Sequence, residues 1–206
     1  MLRNAKRILL TSIAIAIVTP SAIAMTGLGT MPLPQGWYAE GNYGLTKSTG
    51  KSYPTHTNKN SGTGWNVNAG YKFMPYVGIE AGYTRYAATR LQNTAGTTAA
   101  HDNHQAVDLA VKGIAPLGCS GVELFGKLGI NRISSKISGV NASAAAVNSL
   151  TFDTRGKNST GLYLAAGAQA TFTPYIQANL QWAQAYGNNS TGNQALYSLG
   201  ISYILG

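Results

Sequence analysis

The chain is poor in charge. Lys, Arg, Asp and Glu make up 10% of its 206 residues, and only six are acidic. A soluble globular domain carries about 25%. At 44% hydrophobic the chain is too apolar for a disordered segment, and it is too weakly charged for an ordinary cytosolic domain. It has one cysteine, Cys119, which excludes an intrachain disulfide and any cysteine cluster for a metal. Beyond Val18 no run of 18 apolar residues occurs, which excludes a helical membrane span. The formal net charge is +9, but the cations form no run and do not interleave with aromatics. A nucleic-acid partner is therefore not expected.

What is present begins with residues 1–24. Arg3, Lys6 and Arg7 precede an apolar stretch over residues 8–18, and the small residues of "AIA" at 22–24 follow. This pattern predicts a cleaved secretory signal peptide, with a mature domain spanning residues 25–206. Loss of the three leader cations leaves 12 basic residues against six acids.

The mature region repeats one signal, an alternation of period two. Trp37, Ala39, Gly41, Tyr43 and Leu45 alternate with Tyr38, Glu40, Asn42 and Gly44. Comparable runs follow near residues 65–73, 76–86, 107–112, 122–131, 162–169, 176–182 and 197–205. Each marks a strand of about the 9–11 residues that a tilted crossing of a bilayer needs. "MPY", "PLGCSG" and "TP" provide tight turns between some runs, whereas residues 46–61, 87–104, 132–160 and 185–194 form long polar connections. The expectation is all-β: an eight-stranded antiparallel up-and-down transmembrane β-barrel. A soluble barrel or sandwich would use the apolar face as its core. Its outer surface would then be mostly Gly, Asn, Ser, Gln and Ala, which is a poor one. Aromatics near the strand ends, such as Trp37, Tyr43, Trp65, Phe73 and Tyr203, instead suit interfacial girdles.

The segments "GWYAEGNYG", "PYVGIEAGY", "AVKGIAPLG", "GKLGI" and "YSLGISYILG" resemble the transmembrane domain of the OmpA family across nearly all of the mature region. The resemblance implies a cell outer-membrane location in a Gram-negative host. It covers no periplasmic peptidoglycan-binding domain. It also implies that Glu80 and Lys112 belong to an interior salt-bridge set described as a gate. Gln169 and Asn179 stand at the other two positions of that set, so half of its charges are missing. Outer-membrane barrels usually end on an aromatic residue; this chain ends "SYILG", with Tyr203 outward and Gly206 last.

In such a barrel the polar face fills the lumen. Its ionic members are Glu40, Lys72, Glu80, Asp108, Lys112, Glu123 and Lys127, four anions against three cations. This set reads either as packing that plugs the barrel or as a narrow path for ions. The loops and rim hold Lys47, Lys51, Lys59, Arg85, Arg90, Arg132, Lys136, Arg155 and Lys157 against only Asp102 and Asp153. A crown this one-sided suits anionic partners, namely lipopolysaccharide or host glycans and surface proteins.

His56, His101 and His104 fall in the expected loops, and "HDNH" at 101–104 reads as a solvated polar segment. "SGVNASAAAVNS" reads as a low-complexity mobile loop. No histidine lies on an expected strand, so the Ser–His pairs of barrel hydrolases have no counterpart. Neither catalysis nor a cofactor is expected. The reading is a monomeric structural or interaction protein, with a small-solute pore as the alternative.

Overall fold

A computed structural model describes residues 35–51, 53, 57–118, 121–147, 149 and 151–205. The expected leader, His56, Cys119 and Gly206 lie outside them. The strands in chain order are β1 (Gly36–Thr49), β2 (Thr57–Lys59), β3 (Ser61–Met74), β4 (Val77–Arg85), β5 (Thr89–Gln92), β6 (Thr98–Pro116), β7 (Val122–Ser138), β8 (Lys157–Thr173), β9 (Ile176–Ala185) and β10 (Asn193–Leu205). One short helix, α1 (Ala142–Ala146), stands between β7 and β8. Among the described residues no helix is long and apolar enough to cross a membrane, which leaves strands unaddressed.

Eight strands close a barrel of antiparallel neighbours in the order β1-β3-β4-β6-β7-β8-β9-β10. Closure comes from β10 on β1, where Trp37 faces Leu205 and Thr49 faces Asn193. The period-two pattern dictates the two faces. Along β4 the odd residues Ile79 and Ala81 are exposed, while Gly78, Glu80, Gly82 and Thr84 are buried. Outside, residues such as Leu128, Ile130, Leu180, Leu199 and Ile201 are each about 60% exposed. Such a continuous apolar surface suits lipid and not water. Aromatic pairs bound this band. Trp37 and Tyr71, with centroids 5.1 Å apart, and Tyr175 and Tyr203, at 6.4 Å, lie toward the short-turn end. Trp65 and Tyr83, at 5.6 Å, lie toward the other.

Much of what reads as loop is strand. β6 has 19 residues and β7 and β8 have 17 each, more than the 9–11 that a bilayer requires. Their extra length projects beyond the long-connection end. There, β5 replaces β4 on the edge of β6, pairing Thr89 with Asp102, and β2 pairs with β5. Past Val107 the outward side chains become Gln105, Asn103 and His101. The strand continues, but nothing outside is apolar, so hydrophobic alternation ceases to report it.

The segment read as a mobile low-complexity loop contains α1. Asn141 caps it by accepting a hydrogen bond from the Ala144 backbone N–H, as asparagine does well at this position. Asn93 Nδ2 donates to the Ala144 carbonyl at 3.0 Å and ties the helix to the β5–β6 turn.

Candidate functional site

The inward face divides into three layers. Toward the short turns lies an ionic layer. Lys127 Nζ, fully buried, is 2.5 Å from Glu80 Oε1 and 3.3 Å from Glu40 Oε1. Lys112 Nζ is 3.4 Å from Glu40 Oε2 and 3.9 Å from Glu80 Oε2. Two acids and two lysines thus form a square, and the nearest cation to Glu80 is Lys127 rather than the expected Lys112. The reason is register. Lys112 and Lys127 face each other across β6 and β7, so both reach the same carboxylates.

Neutral donors fill the remaining lone pairs, as a buried ion requires. Tyr38 OH donates to Glu80 Oε2 at 2.7 Å. Asn42, Asn68 and Ser202 donate to Glu40 at 2.8, 2.9 and 3.0 Å. Lys112 also lies over the Tyr38 and Phe125 rings, at 5.1 and 4.6 Å from their centroids. These donors are absent from the charge-based site residues, yet Tyr38, Asn42 and Ser202 stand on the polar face that the alternation defines. A search for charges passes over them.

The other expected lumen residues are inward and buried: Lys72, Asp108, Glu123, Gln169 and Asn179. Gln169 Nε2 donates to Glu123 Oε2. Lys72 Nζ has no hydrogen-bond partner among the described residues and lies in the field of Glu123. Asn179 has no hydrogen-bond partner among the described residues and touches neither Glu80 nor Lys112 through one. A cavity of about 10 Å³ lies beside Lys72, Lys112 and Gln177, room for about one water.

Above the ionic layer Tyr86, Ile133, Tyr163, Leu196 and several alanines pack as one apolar cluster. Above that, beyond the lipid-facing band, is a second polar cluster. Asp102 is completely buried. Its carboxylate accepts from Lys51 at 2.5 Å, Tyr53 at 2.8 Å and Ser135 at 2.7 Å. Lys51 also donates to Ser135 at 2.7 Å, and His104 Nε2 lies 3.4 Å from Asp102. The expectation of a solvated HDNH loop is therefore corrected: His101 and His104 are on β6, and His104 is buried. β6 alternates here too, which turns Asp102 and His104 inward. Burial pushes the His104 imidazole down to about 4, so it is neutral at pH 7. Burial opposes the Asp102 charge, but His104, Lys51, Ser135 and Tyr53 together hold the carboxyl below its usual range.

Lys51 is thus an internal partner of Asp102 and not part of an outward crown. Lys47, Lys59, Arg85, Arg90, Arg132, Lys136, Arg155 and Lys157 are all exposed, and Lys157 lies 3.3 Å from Asp153. Three of these share a height. Lys47, Arg85 and Arg132 each follow by two residues the outward Leu45, Tyr83 and Ile130, so they form a cationic collar just past the apolar band. Next to the mouth, a pocket of about 220 Å³ is lined by Tyr53, Phe152, Lys51, Ser135, Asp153, Arg155 and Lys157, among others. Among the described residues no group of three His, Cys, Asp or Glu is placed to hold a metal.

The sequence profile of the family described as "Outer membrane protein beta-barrel domain" matches residues 16–204. The chain belongs to this family of outer-membrane β-barrels. No curated protein matches it. Among solved structures, the outer membrane protein OprG from Pseudomonas aeruginosa superimposes with a TM-score of 0.59 at 14% identity, covering 84% of this chain and 97% of OprG. Neisserial surface protein A gives 0.55 at 18% identity, covering 82% and 97%. Ail of Yersinia pestis, in complex with the heparin analogue sucrose octasulfate, gives 0.52 at 16% identity, covering 83% and 99%. At these identities the likeness is one of fold, and the fold is that of the OmpA-type barrel.

Proposed function

We propose that this protein is a structural and adhesive barrel of the outer membrane, held at its outer rim by the phosphates of lipopolysaccharide. The leader at residues 1–24 is removed on export, and the long-connection end faces outward. The observation that carries the reading is the collar of Lys47, Arg85 and Arg132. It stands where the apolar band ends and the headgroup layer begins, and cations there are worth about 1 kcal/mol each against an anionic surface. The exposed cations of the projecting strands and of the mouth pocket extend this surface outward. They suit the sulfates of host glycans, as Ail's capture of a sulfated heparin analogue illustrates for a similar fold.

The lumen plays a packing role and carries no current, a reading supported by the apolar cluster and by the roughly 10 Å³ cavity at its short-turn end. No catalytic role is assigned. Ser135 and His104 are both buried and both turned to the Asp102 carboxylate.

Binding of the folded barrel to lipopolysaccharide micelles, measured against salt, tests the collar. The triple variant Lys47→Gln, Arg85→Gln, Arg132→Gln is expected to weaken binding at least tenfold and to flatten its salt dependence. Unchanged binding in a folded variant rejects the collar. Channel steps in a planar bilayer would replace the packing reading with a pore.

A further inference from the structure

The register places four inward positions side by side across four strands. Asn68 faces Gly82, Gly82 faces Asp108, and Asp108 faces Asn131. Asn68, Asp108 and Asn131 are each at least 96% buried. Asn68 uses its Nδ2 on Glu40 at 2.9 Å, and Asn131 uses its Nδ2 on the Leu162 carbonyl at 2.6 Å. Each amide is thereby fixed with its oxygen turned elsewhere. Among the described residues neither amide oxygen, and neither oxygen of Asp108, has a hydrogen-bond partner.

Asn68 Oδ1 and both Asp108 oxygens converge over Gly82, and Asn131 stands beside Asp108 in the cross-strand register. A Cβ at Gly82 would touch Asn68 Oδ1 and stand 2.7 and 2.8 Å from Asp108 Oδ2 and Oδ1. Glycine is the residue that lets these oxygens approach one another. From these juxtapositions we propose that Asp108, Asn68 and Asn131 bind a monovalent alkali cation, sodium, inside the barrel.

Charge supports the same conclusion independently. Glu40 and Glu80 are matched by Lys112 and Lys127, and Lys72 lies in the field of Glu123. Asp108 is in no ion pair among the described residues, and a lone buried carboxylate is strongly unfavourable. A proton on Asp108 would serve one of the neighbouring oxygens and leave the other unmet, whereas a cation draws on all of them. One carboxylate with neutral oxygens suits a single positive charge. Calcium takes 6–8 oxygens and is ordinarily held by more than one carboxylate. The ion is a bound counter-charge, and it is independent of lipopolysaccharide binding.

The test is urea unfolding of the folded barrel in detergent, in sodium chloride and in choline chloride at equal ionic strength. A ligand bound only by the native state raises the folding constant in proportion to its concentration once above Kd. Wild type is expected to gain up to tenfold per tenfold rise in sodium, and Asp108→Asn, which keeps the shape, should lose that dependence. Crystals soaked in rubidium chloride should show an anomalous peak between Asp108 and Asn68, a reading that stands even if the variant fails to fold. Equal stability in sodium and choline, or no anomalous peak, overturns the proposal. A response to pH without one to sodium would assign the charge balance to a proton, and a response to calcium alone would reject the monovalent assignment.

Discussion

The lumen's two polar layers solve the same problem in different ways. The lower layer, around Glu40, Glu80, Lys112 and Lys127, draws its ions from strand positions inside the lipid band. Neighbouring strands deliver its parts through fixed register, and its neutral donors stand on the same polar face. The upper layer gathers around one carboxylate, Asp102. Its main cation, Lys51, and its phenol, Tyr53, come from the connection after β1. The lower layer is built by the sheet, while the upper is built by a long connection folding over the sheet's end. A charge buried by register is insensitive to the medium above it. A charge buried under a connection is exposed whenever that connection opens.

The comparison breaks first at Lys127. Removing one member of the square leaves a buried charge unmatched, and such losses are about 3–5 kcal/mol. Glu80→Gln and Lys127→Met are each expected to destabilise by that order, whereas the double variant should lose much less than the sum. Urea unfolding in lipid vesicles measures the cycle. A stronger coupling of Glu80 to Lys112 than to Lys127 would reverse the geometry of the square.

A smaller effect is expected on the outer face of the same strand. Ile79→Arg places a guanidinium in lipid one residue from Glu80, at a cost of about 2–4 kcal/mol. Insertion into vesicles should fall accordingly, and wild-type insertion would invert the assignment of inside and outside.

Smallest is the response of the upper layer to acid. The native His104 titrates near 4 and the unfolded residue near about 6.5. Between these values the open form takes up a proton that the closed form refuses, so stability falls as pH drops from about 6.5 to about 4. Asp102, held low by its partners, adds a loss of the same sign at still lower pH. Hydrogen exchange at residues 98–104 should quicken over that interval while β4 near Glu80 stays protected. Equal quickening at both places would erase the distinction between the layers.

The barrel was legible because lipid and lumen impose opposite chemistries on alternate residues. Ile79 and Glu80 declare their sides at once. The same rule explains what was missed. Past Val107 the outward residues of β6 meet water, and Gln105 and Asn103 look like loop residues although they continue the strand. The partnership of Lys51 with Asp102 was illegible for another reason: it depends on a connection's path, which no periodicity encodes. Lys51 therefore read as one more crown cation. Glu80 reads as inward from the alternation, but its choice of Lys127 over Lys112 rests on cross-strand register, visible only once the strands are paired.

The seam between β1 and β10 carries a kinetic consequence. Trp37 and Leu205 meet from opposite ends of the described chain, as do Glu40 and Ser202. Closure must therefore bring together residues of the greatest sequence separation, the slowest kind of contact to form. Until the last strand arrives, β1 shows an unpaired edge, the template on which misassembly begins. The final strand thus acts as a latch. A nascent chain halted before residue 193 would hold most of the sheet but neither a sealed edge nor the Ser202 hydroxyl that finishes the Glu40 shell, and its survival would depend on whatever guards that edge.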